Sequence, residues 1–280
     1  IPELIRIHGC EKKPVDYVDT FQTRVWRENL ARINECIVRE WSDLDLSDSE
    51  WMALQESIRS DPKYDYRTVD LSRQRLVRIF NSKQFDQGGR FYWGWWQNIP
   101  SKYRSRITIN GQPTVELDYK QIHPTILYSM VGKPLHSDAY DIGLRPELRD
   151  LVKQAFNAMV HSKQTLKRPP RGLSWPEVKC ITWRELVERI LAKHSALESM
   201  FFRGIGLKLQ FQDSCVAEQV MLHFARRGIA ILPVHDSFIC QQQHREELEA
   251  VMVKSFEEQF GVRARVRLEW QIKKVALAMC

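Results

Sequence analysis

Residues 106–118 contain the strongest local folding signal in this chain. Two runs of alternating apolar and polar residues stand on either side of the dipeptide Asn110-Gly111. Asn-Gly favours the positive backbone φ angles of a tight two-residue turn, and alternation is typical of a strand with one buried face. The segment therefore predicts a β-hairpin whose second strand ends at the acidic residue Asp118.

A second strand pair is predicted over residues 229–241. Apolar residues stand on both sides of His235 and Asp236, which favours a hairpin with the Asp236 carboxylate exposed at its tip. An Asp at a turn can also simply satisfy its own backbone, and Asp118 could cap a following helix. The two acids alone therefore leave catalysis and turn chemistry open.

The rest of the chain predicts an α+β protein without internal repeats. Residues 47–50 form a helix start signal, and residues 62–72 are polar enough for a loop. Helical periodicity is found at 16–42, 51–58, 76–80, 121–131, 150–161, 183–203, 211–226 and 244–259, and a final strand is predicted over 262–271.

A polar stripe runs along the helix predicted over 150–161. Arg149, Lys153, Asn157 and His161 follow one another at a spacing of four, which aligns their side chains on one helix face. A solvated face usually mixes acids with bases, whereas this stripe has no acid. It suits an anionic ligand such as a triphosphate, with an ordinary solvated basic face as the alternative.

Composition narrows the classes of protein. The chain has 280 residues, a formal net charge of +7 and six scattered cysteines without a CxxC pair. The length allows one large domain or two small ones, and the basic surplus is compatible with a nucleic-acid partner. The cysteine pattern argues against structural zinc and for reduced thiols. Because neither a membrane span nor a signal peptide is evident, we expect a cytoplasmic protein without a membrane partner.

Five segments resemble, in the same order, motifs of family A DNA polymerases, the bacterial polymerase I group. Two of them resemble the metal-binding motifs: Asp118-Tyr119-Lys120-Gln121-Ile122-His123 and Val234-His235-Asp236. The stripe from Arg149 to His161 is similar to the fingers helix of that family. Gly89-Arg90 with Gln97-Asn98-Ile99-Pro100 is similar to a segment that contacts primer–template, and Leu209 to Ser214 to a Gln-bearing helix.

The resemblance implies a right-handed polymerase architecture within the α+β class, with an antiparallel-sheet palm, helical fingers and a reduced helical thumb. Residues 1–75 would be the N-terminal helical region and reduced thumb, and 76–134 the first part of the palm. Residues 135–205 would be the fingers and 206–280 the second part of the palm. The resemblance implies a compact version without exonuclease domains, which would suit a phage, plasmid or other mobile element in a bacterial or phage-infected cell. Its reduced thumb predicts a weak grip on the duplex unless an accessory protein or a missing segment supplies it.

The resemblance also implies the chemistry of a DNA-dependent DNA polymerase. Such an enzyme extends the 3′-hydroxyl of primer–template DNA with deoxynucleoside triphosphates, using two Mg²⁺ ions that Mn²⁺ could replace. Asp118 and Asp236 would be catalytic and would bind the metal ions together with the backbone of Tyr119. The residues implied to bind the nucleotide are Gln121, His123, Arg149, Lys153, Asn157 and His161. Those implied to bind primer–template are Arg90, Gln97, Asn98, Gln212 and His235.

Some positions depart from the family pattern. Asn157 and His161 stand where the family has an aromatic pair, and His123 replaces a glutamate that excludes ribose. Residues 235–238 read His-Asp-Ser-Phe, which is similar to the second metal motif of single-subunit phage-type RNA polymerases. Because that group has glycine where His123 stands, DNA synthesis ranks first. Ribonucleotide or primase-like synthesis is the alternative, followed by a non-catalytic nucleic-acid-binding protein on the same scaffold.

Overall fold

The structure is a computed structural model that describes residues 3–9, 11–61, 68–173 and 181–271. Its strands are β1 Ile5–His8, β2 Pro14–Val15, β3 Ser42–Leu44, β4 Val77–Asn81, β5 Gln84–Tyr92, β6 Ile107–Ile109, β7 Gln112–Tyr119, β8 Leu232–Val234, β9 Ser237–Gln241 and β10 Val266–Gln271. Its α-helices are α1 Phe21–Arg39, α2 Asp48–Ser60, α3 Ser101–Arg104, α4 Ile122–Met130, α5 Arg149–His161, α6 Trp183–Lys193, α7 Gly206–Ala225 and α8 Arg245–Phe260.

The larger sheet is antiparallel and contains both predicted hairpins. Its strand order is β3-β6-β7-β9-β8, and β10 pairs with β7 on the side where β6 ends. Asn110 and Gly111 have φ angles of 52° and 68°, as the predicted turn requires. Because β7 and β9 are neighbours, with Asp118 opposite Ser237, the two acidic strand ends lie side by side. The α+β prediction is confirmed.

The smaller sheet has the order β2-β1-β4-β5, in which β1 and β4 are parallel. The helix predicted over 76–80 is wrong, since this segment is β4. Arg78 is fully buried beside apolar neighbours, which hides the period of two that would have indicated a strand. The turn to β5 uses Ser82 and Lys83 at positive φ, without the glycine by which such turns are recognised.

The helices begin and end where local chemistry favours it. Ser47 and Glu50 form the reciprocal capping box expected at the start of α2, with the Glu50 carboxylate accepting from the Ser47 N–H at 2.8 Å. α7 is almost entirely surrounded and contacts β5, α1 and α8. Its buried residues occupy several faces of the helix, which explains its weak amphipathic pattern.

Several predicted boundaries change. The helix predicted over 16–42 is shorter because β3 follows it, and 183–203 divides into α6 and a 3₁₀ segment at Ser195–Met200. Residues 1–75 also contain the short strands β1, β2 and β3. Each has only two to four residues, which is too short for its periodicity to indicate a strand. Most of the predicted 62–72 loop lies outside the described residues.

No helix in the described ranges is both long and apolar enough to cross a membrane.

Candidate active site

An open cavity of about 480 Å³ lies between β7, the turn from β8 to β9, and α5. Its lining consists of Arg90, Asp118, Tyr119, Lys120, Gln121, Ile122, His123, Asp138, Tyr140, Arg149, Lys153, Asn157, Asp236, Arg265 and Arg267. Nine of the fourteen residues expected at the site line this cavity. The five that do not line it are His161, Gln97, Asn98, Gln212 and His235.

The two acids meet because their strands pair. Asp118 is near the end of β7, and Asp236 occupies the turn before β9, where the Tyr119 N–H donates to the Asp236 carbonyl at 3.3 Å. His235 adopts a positive φ of 59°, which turns the chain sharply at this point. A turn and a neighbouring strand end thus place both carboxylates on one cavity.

Electrostatics at this pair favour a bound cation. Burial and the neighbouring charge of Asp236 raise the pKa of Asp118 well above its ordinary value, although Arg267 at 3.2 Å opposes this shift. Two oxygen donors held together against their repulsion fit a hard divalent ion. In the described ranges no group of three or more His, Cys, Asp or Glu side chains could hold a metal ion. A metal here would therefore be held by two carboxylates and further oxygens from backbone, substrate or water.

Glu116, two residues before Asp118 on β7, stabilises the sheet at this point, and its carboxylate is not available as a metal ligand. It is buried, and its carboxylate accepts from Ser237 Oγ at 2.6 Å, Arg104 Nε at 2.9 Å and Trp270 Nε1 at 2.8 Å. These donors come from β9, α3 and β10, so one carboxylate connects three elements around β7. Ser237, the residue after Asp236, is therefore a hydrogen-bond donor to this network.

The polar stripe of α5 faces the two acids across the cavity. Arg149, Lys153 and Asn157 line the cavity, whereas His161 packs over Gly206 at the start of α7. Arg149 is bound by Asp138, with Nε–Oδ2 at 2.7 Å and Nη2–Oδ1 at 3.2 Å. Three of the four stripe residues are thus placed to contact an anion.

His123 and Arg90 are held by a buried acid from another helix. Asp213 of α7 accepts from Arg90 Nε at 3.0 Å and also pairs with Arg90 Nη2. The Nε2 atom of His123 lies 2.8 Å from the Asp213 carboxylate and 3.3 Å from Arg90 Nη2. The imidazole is therefore fixed in one orientation at the cavity wall.

Two other expected residues line the cavity but use their side chains elsewhere. The Tyr119 ring is buried and its hydroxyl donates to the Met252 carbonyl at 2.6 Å, so a metal could reach only its backbone. The Gln121 side-chain carbonyl accepts from the Ala139 N–H, which fastens the loop carrying Asp138 to the start of α4. Gln121 thus shapes the cavity through this loop.

Four expected primer–template residues lie outside the cavity, and their contacts are within the fold. Gln97 donates to the carbonyls of Phe91 at 3.0 Å and Pro233 at 2.9 Å, and Asn98 donates to the Gly94 carbonyl at 3.3 Å. Gln212 accepts from Gln259 at 3.0 Å. The His235 ring lies against Tyr92, and its buried Nδ1 has no partner among the described residues. Burial lowers the pKa of His235.

Sequence reasoning missed five charged residues of the cavity and its wall. Asp138, Lys120, Arg265 and Arg267 line the cavity, and Asp213 supports it. Arg263, Arg265 and Arg267 alternate along the chain, which indicates one face of an extended segment and could have identified them. Asp138 has no such signal, because only folding brings its loop to α5.

No protein-family profile and no functionally curated protein matches the sequence. Among solved structures, the polymerase domain of Pol1 from M. smegmatis, in complex with DNA primer-template and dNTP, is similar at 17% sequence identity with a TM-score of 0.47. The alignment covers 72% of this chain and 48% of that one, so the chain spans about half the length of the domain it matches. A similarity of this size assigns neither a family nor an activity to the chain.

Proposed function

We propose that this cavity catalyses template-directed nucleotidyl transfer, extending the 3′-hydroxyl of a DNA primer with deoxynucleoside triphosphates. The observation that carries the proposal is the shared cavity of Asp118, Asp236 and the cationic stripe of α5. Paired acids suit the metal-assisted attack of a hydroxyl on phosphorus, and fixed cations opposite them suit a triphosphate. The motif order along the chain supports the same reading.

Asp118, Asp236 and the backbone carbonyl of Tyr119 would hold two Mg²⁺ ions, which Mn²⁺ could replace. When bound, these ions would lower the pKa of the attacking hydroxyl and neutralise charge on the leaving phosphates. The reaction forms a bond between the primer 3′-oxygen and the α-phosphorus and breaks the bond to the oxygen that leaves with pyrophosphate. The hydroxyl proton passes to solvent water.

Arg149 and Lys153 would bind the phosphates of the nucleotide, and Asn157 would lie nearer its base. Arg149 can donate two hydrogen bonds in a fixed geometry, whereas Lys153 is exposed and has no ion-pair partner among the described residues. Tyr140 under the Arg149 guanidinium, at 5.1 Å, limits how that side chain moves. α5 would accordingly belong to the fingers of a hand-shaped polymerase.

His123 is the residue that would select deoxynucleotides over ribonucleotides. Its ring is fixed by Asp213 and Arg90, so it would present a rigid surface to the sugar of a bound nucleotide. A bulky fixed ring crowds a 2′-hydroxyl, whereas a glycine would leave room for it. Arg90 would act as a support for this ring. A primer–template role would be indirect for Gln97, through its bond to Pro233 of the β8–β9 hairpin, and for Asn98, through the turn at Gly94.

Primer extension tests the proposal directly. The purified chain is incubated with a primed DNA template, Mg²⁺ and either deoxy- or ribonucleotides, beside the variants Asp236→Ala and Asp141→Asn. We expect deoxynucleotide incorporation that falls at least about a thousandfold in Asp236→Ala, as for loss of a catalytic group. Asp141 is exposed and does not line the cavity, so its variant should extend normally.

Two results would contradict the proposal. Extension with ribonucleotides in preference to deoxynucleotides would make the chain an RNA-synthesising enzyme. Binding of primer–template without incorporation of either nucleotide would make it a non-catalytic nucleic-acid-binding protein. A variant His123→Gly isolates the sugar selection, because it should admit ribonucleotides while leaving Asp118 and Asp236 in place.

A further inference from the structure

A second cavity, of about 270 Å³, lies directly beside the catalytic cavity. The two share Lys120, Gln121 and Arg265 in their walls, so an anion could pass from one to the other without leaving a cationic surface. The second cavity is formed where the end of β7 meets the segment before β10, and the Lys120 N–H donates to the Arg265 carbonyl at 2.8 Å there. The loop after α4 completes it.

The charge of this basic cavity is strongly one-sided. Lys120, Lys133, Arg263 and Arg265 line it, and no acidic residue does. All four are exposed, and within the described ranges none forms an ion pair or a side-chain hydrogen bond. By contrast, three cations of the catalytic cavity, Arg90, Arg149 and Arg267, are each paired with an acid.

Four unpaired cations around one concave surface repel one another, and this cost is relieved when an anion binds. A concave surface lined by a single sign of charge also raises the local concentration of counter-ions. The remaining lining residues include Thr125, Ser137 and Leu135 but no aromatic side chain on which a base could stack. The lining of the basic cavity therefore suits phosphate groups and has no aromatic ring on which a nucleobase could stack.

We propose that the basic cavity is a binding site for an oligophosphate anion, adjoining the catalytic cavity and distinct from the α5 stripe. Its ligand would be either the pyrophosphate released by nucleotidyl transfer or the triphosphate of an arriving nucleotide, and in this respect the proposal rests on the proposed function. The binding of an oligophosphate itself follows from the charges and the volume alone.

Calorimetric titration of the metal-free protein with sodium tripolyphosphate and with sodium pyrophosphate tests the site. The test variant is Lys133→Gln/Arg263→Gln, because these two residues line the basic cavity and not the catalytic one. The control variant is Arg32→Gln/Arg59→Gln, which removes the same charge from exposed positions on α1 and α2. We expect affinity to fall at least about tenfold in the test variant and less than about twofold in the control.

Equal losses in the two variants would overturn the proposal, since only net charge would then matter. A test variant that keeps its tripolyphosphate and pyrophosphate affinity but loses affinity for a single-stranded oligonucleotide would also overturn it, in favour of a nucleic-acid surface. The variant Asp118→Asn/Asp236→Asn should bind tripolyphosphate at least as tightly as the original chain. If the original chain fails to extend primers but its oligophosphate binding responds as expected, the proposed function fails and the anion site stands.

Steady-state primer extension separates the two sources of the oligophosphate. If the site takes released pyrophosphate, the test variant should need about tenfold more pyrophosphate for inhibition while its KM for deoxynucleotides is unchanged. If it takes the triphosphate of an arriving nucleotide, KM should rise and kcat should stay constant. Unchanged KM together with unchanged pyrophosphate inhibition, in an enzyme that extends primers, would overturn the site's part in the reaction.

Discussion

Asp213 is 2% exposed and binds both Arg90 and His123, which come from β5 and α4. A buried carboxylate without partners would be costly, but here each oxygen has a charged or polar partner. Arg90 is itself mostly buried, so the Asp213 carboxylate also neutralises a guanidinium that would be costly to bury alone. A single residue on α7 thereby sets the orientation of the imidazole at the cavity wall.

The variant Asp213→Asn should destabilise the protein by about 3 kcal/mol, because it leaves the Arg90 guanidinium buried without its counter-charge. Urea unfolding followed by tryptophan fluorescence measures this loss. Asp138→Asn is the matched control, since it breaks an Arg–Asp pair that is partly solvated and should cost less than about 1 kcal/mol. Equal losses of unfolding free energy in the two variants would show that Asp213 stabilises the fold no more than the partly solvated Asp138 does.

Asp138 competes for the side chain that the triphosphate would need. It holds Arg149 by two hydrogen bonds and adds a negative charge to the cavity. In Asp138→Asn we expect KM for the nucleotide to fall about threefold with little change in kcat, because one repulsive charge is removed. Asp141→Asn, on the same loop but outside the cavity lining, serves as the control in steady-state primer extension. A higher KM would instead mean that Asp138 orients Arg149 for binding.

The helices α5 and α7 meet at a glycine. A methyl group on Gly206, the first residue of α7, would lie 2.2 Å from atoms of the His161 ring at the end of α5. Gly206→Ala should therefore cost about 1 kcal/mol, since the imidazole must move. In a His161→Ala background the same substitution should be neutral or stabilising, because alanine suits a helix better than glycine.

A double-mutant cycle in urea measures this coupling between Gly206 and His161. Gly9→Ala is the matched control, since the nearest atom to its added methyl group is 3.5 Å away and its φ is not positive. It should change stability by about 0.5 kcal/mol or less in either background. Additive effects of Gly206→Ala and His161→Ala would exclude the steric contact.

The elements differ in how far the sequence predicts them. The Asn110-Gly111 hairpin and the stripe of α5 follow from local periodicity and turn chemistry, which the chain shows within a few residues. β4 does not, because the partners that let Arg78 be buried, Glu218 and Ser214, are far away in sequence. Asp138 reaches the cavity for a similar reason, through the bond between Gln121 and the Ala139 backbone.

Folding of the complete chain creates unfavourable electrostatics in the two cavities, which bound ligands can relieve. Asp118, near the end of β7, and Asp236, in the turn before β9, are more than a hundred residues apart in the chain, and pairing of β7 with β9 brings them together. The burial of Asp118 beside Asp236 is thus a cost of folding, as is the repulsion among the cations of the basic cavity. A site whose charges are unfavourable to the folded chain alone is one in which binding of a counter-ion should stabilise the whole fold.

Thermal unfolding with and without Mg²⁺ therefore tests the proposed metal site independently of the proposed catalysis. The original chain should gain a few degrees in Tm with excess Mg²⁺ or Mn²⁺, because only the folded state holds the paired carboxylates. Asp118→Asn should be more stable than the original chain in EDTA by about 1 kcal/mol, since an amide costs less to bury beside Asp236 than an ionisable carboxyl does, and should respond little to Mg²⁺. Asp141→Asn should keep the full response. If Asp118→Asn gains as much from Mg²⁺ as the original chain does, the ion binds elsewhere and the paired acids are not its site.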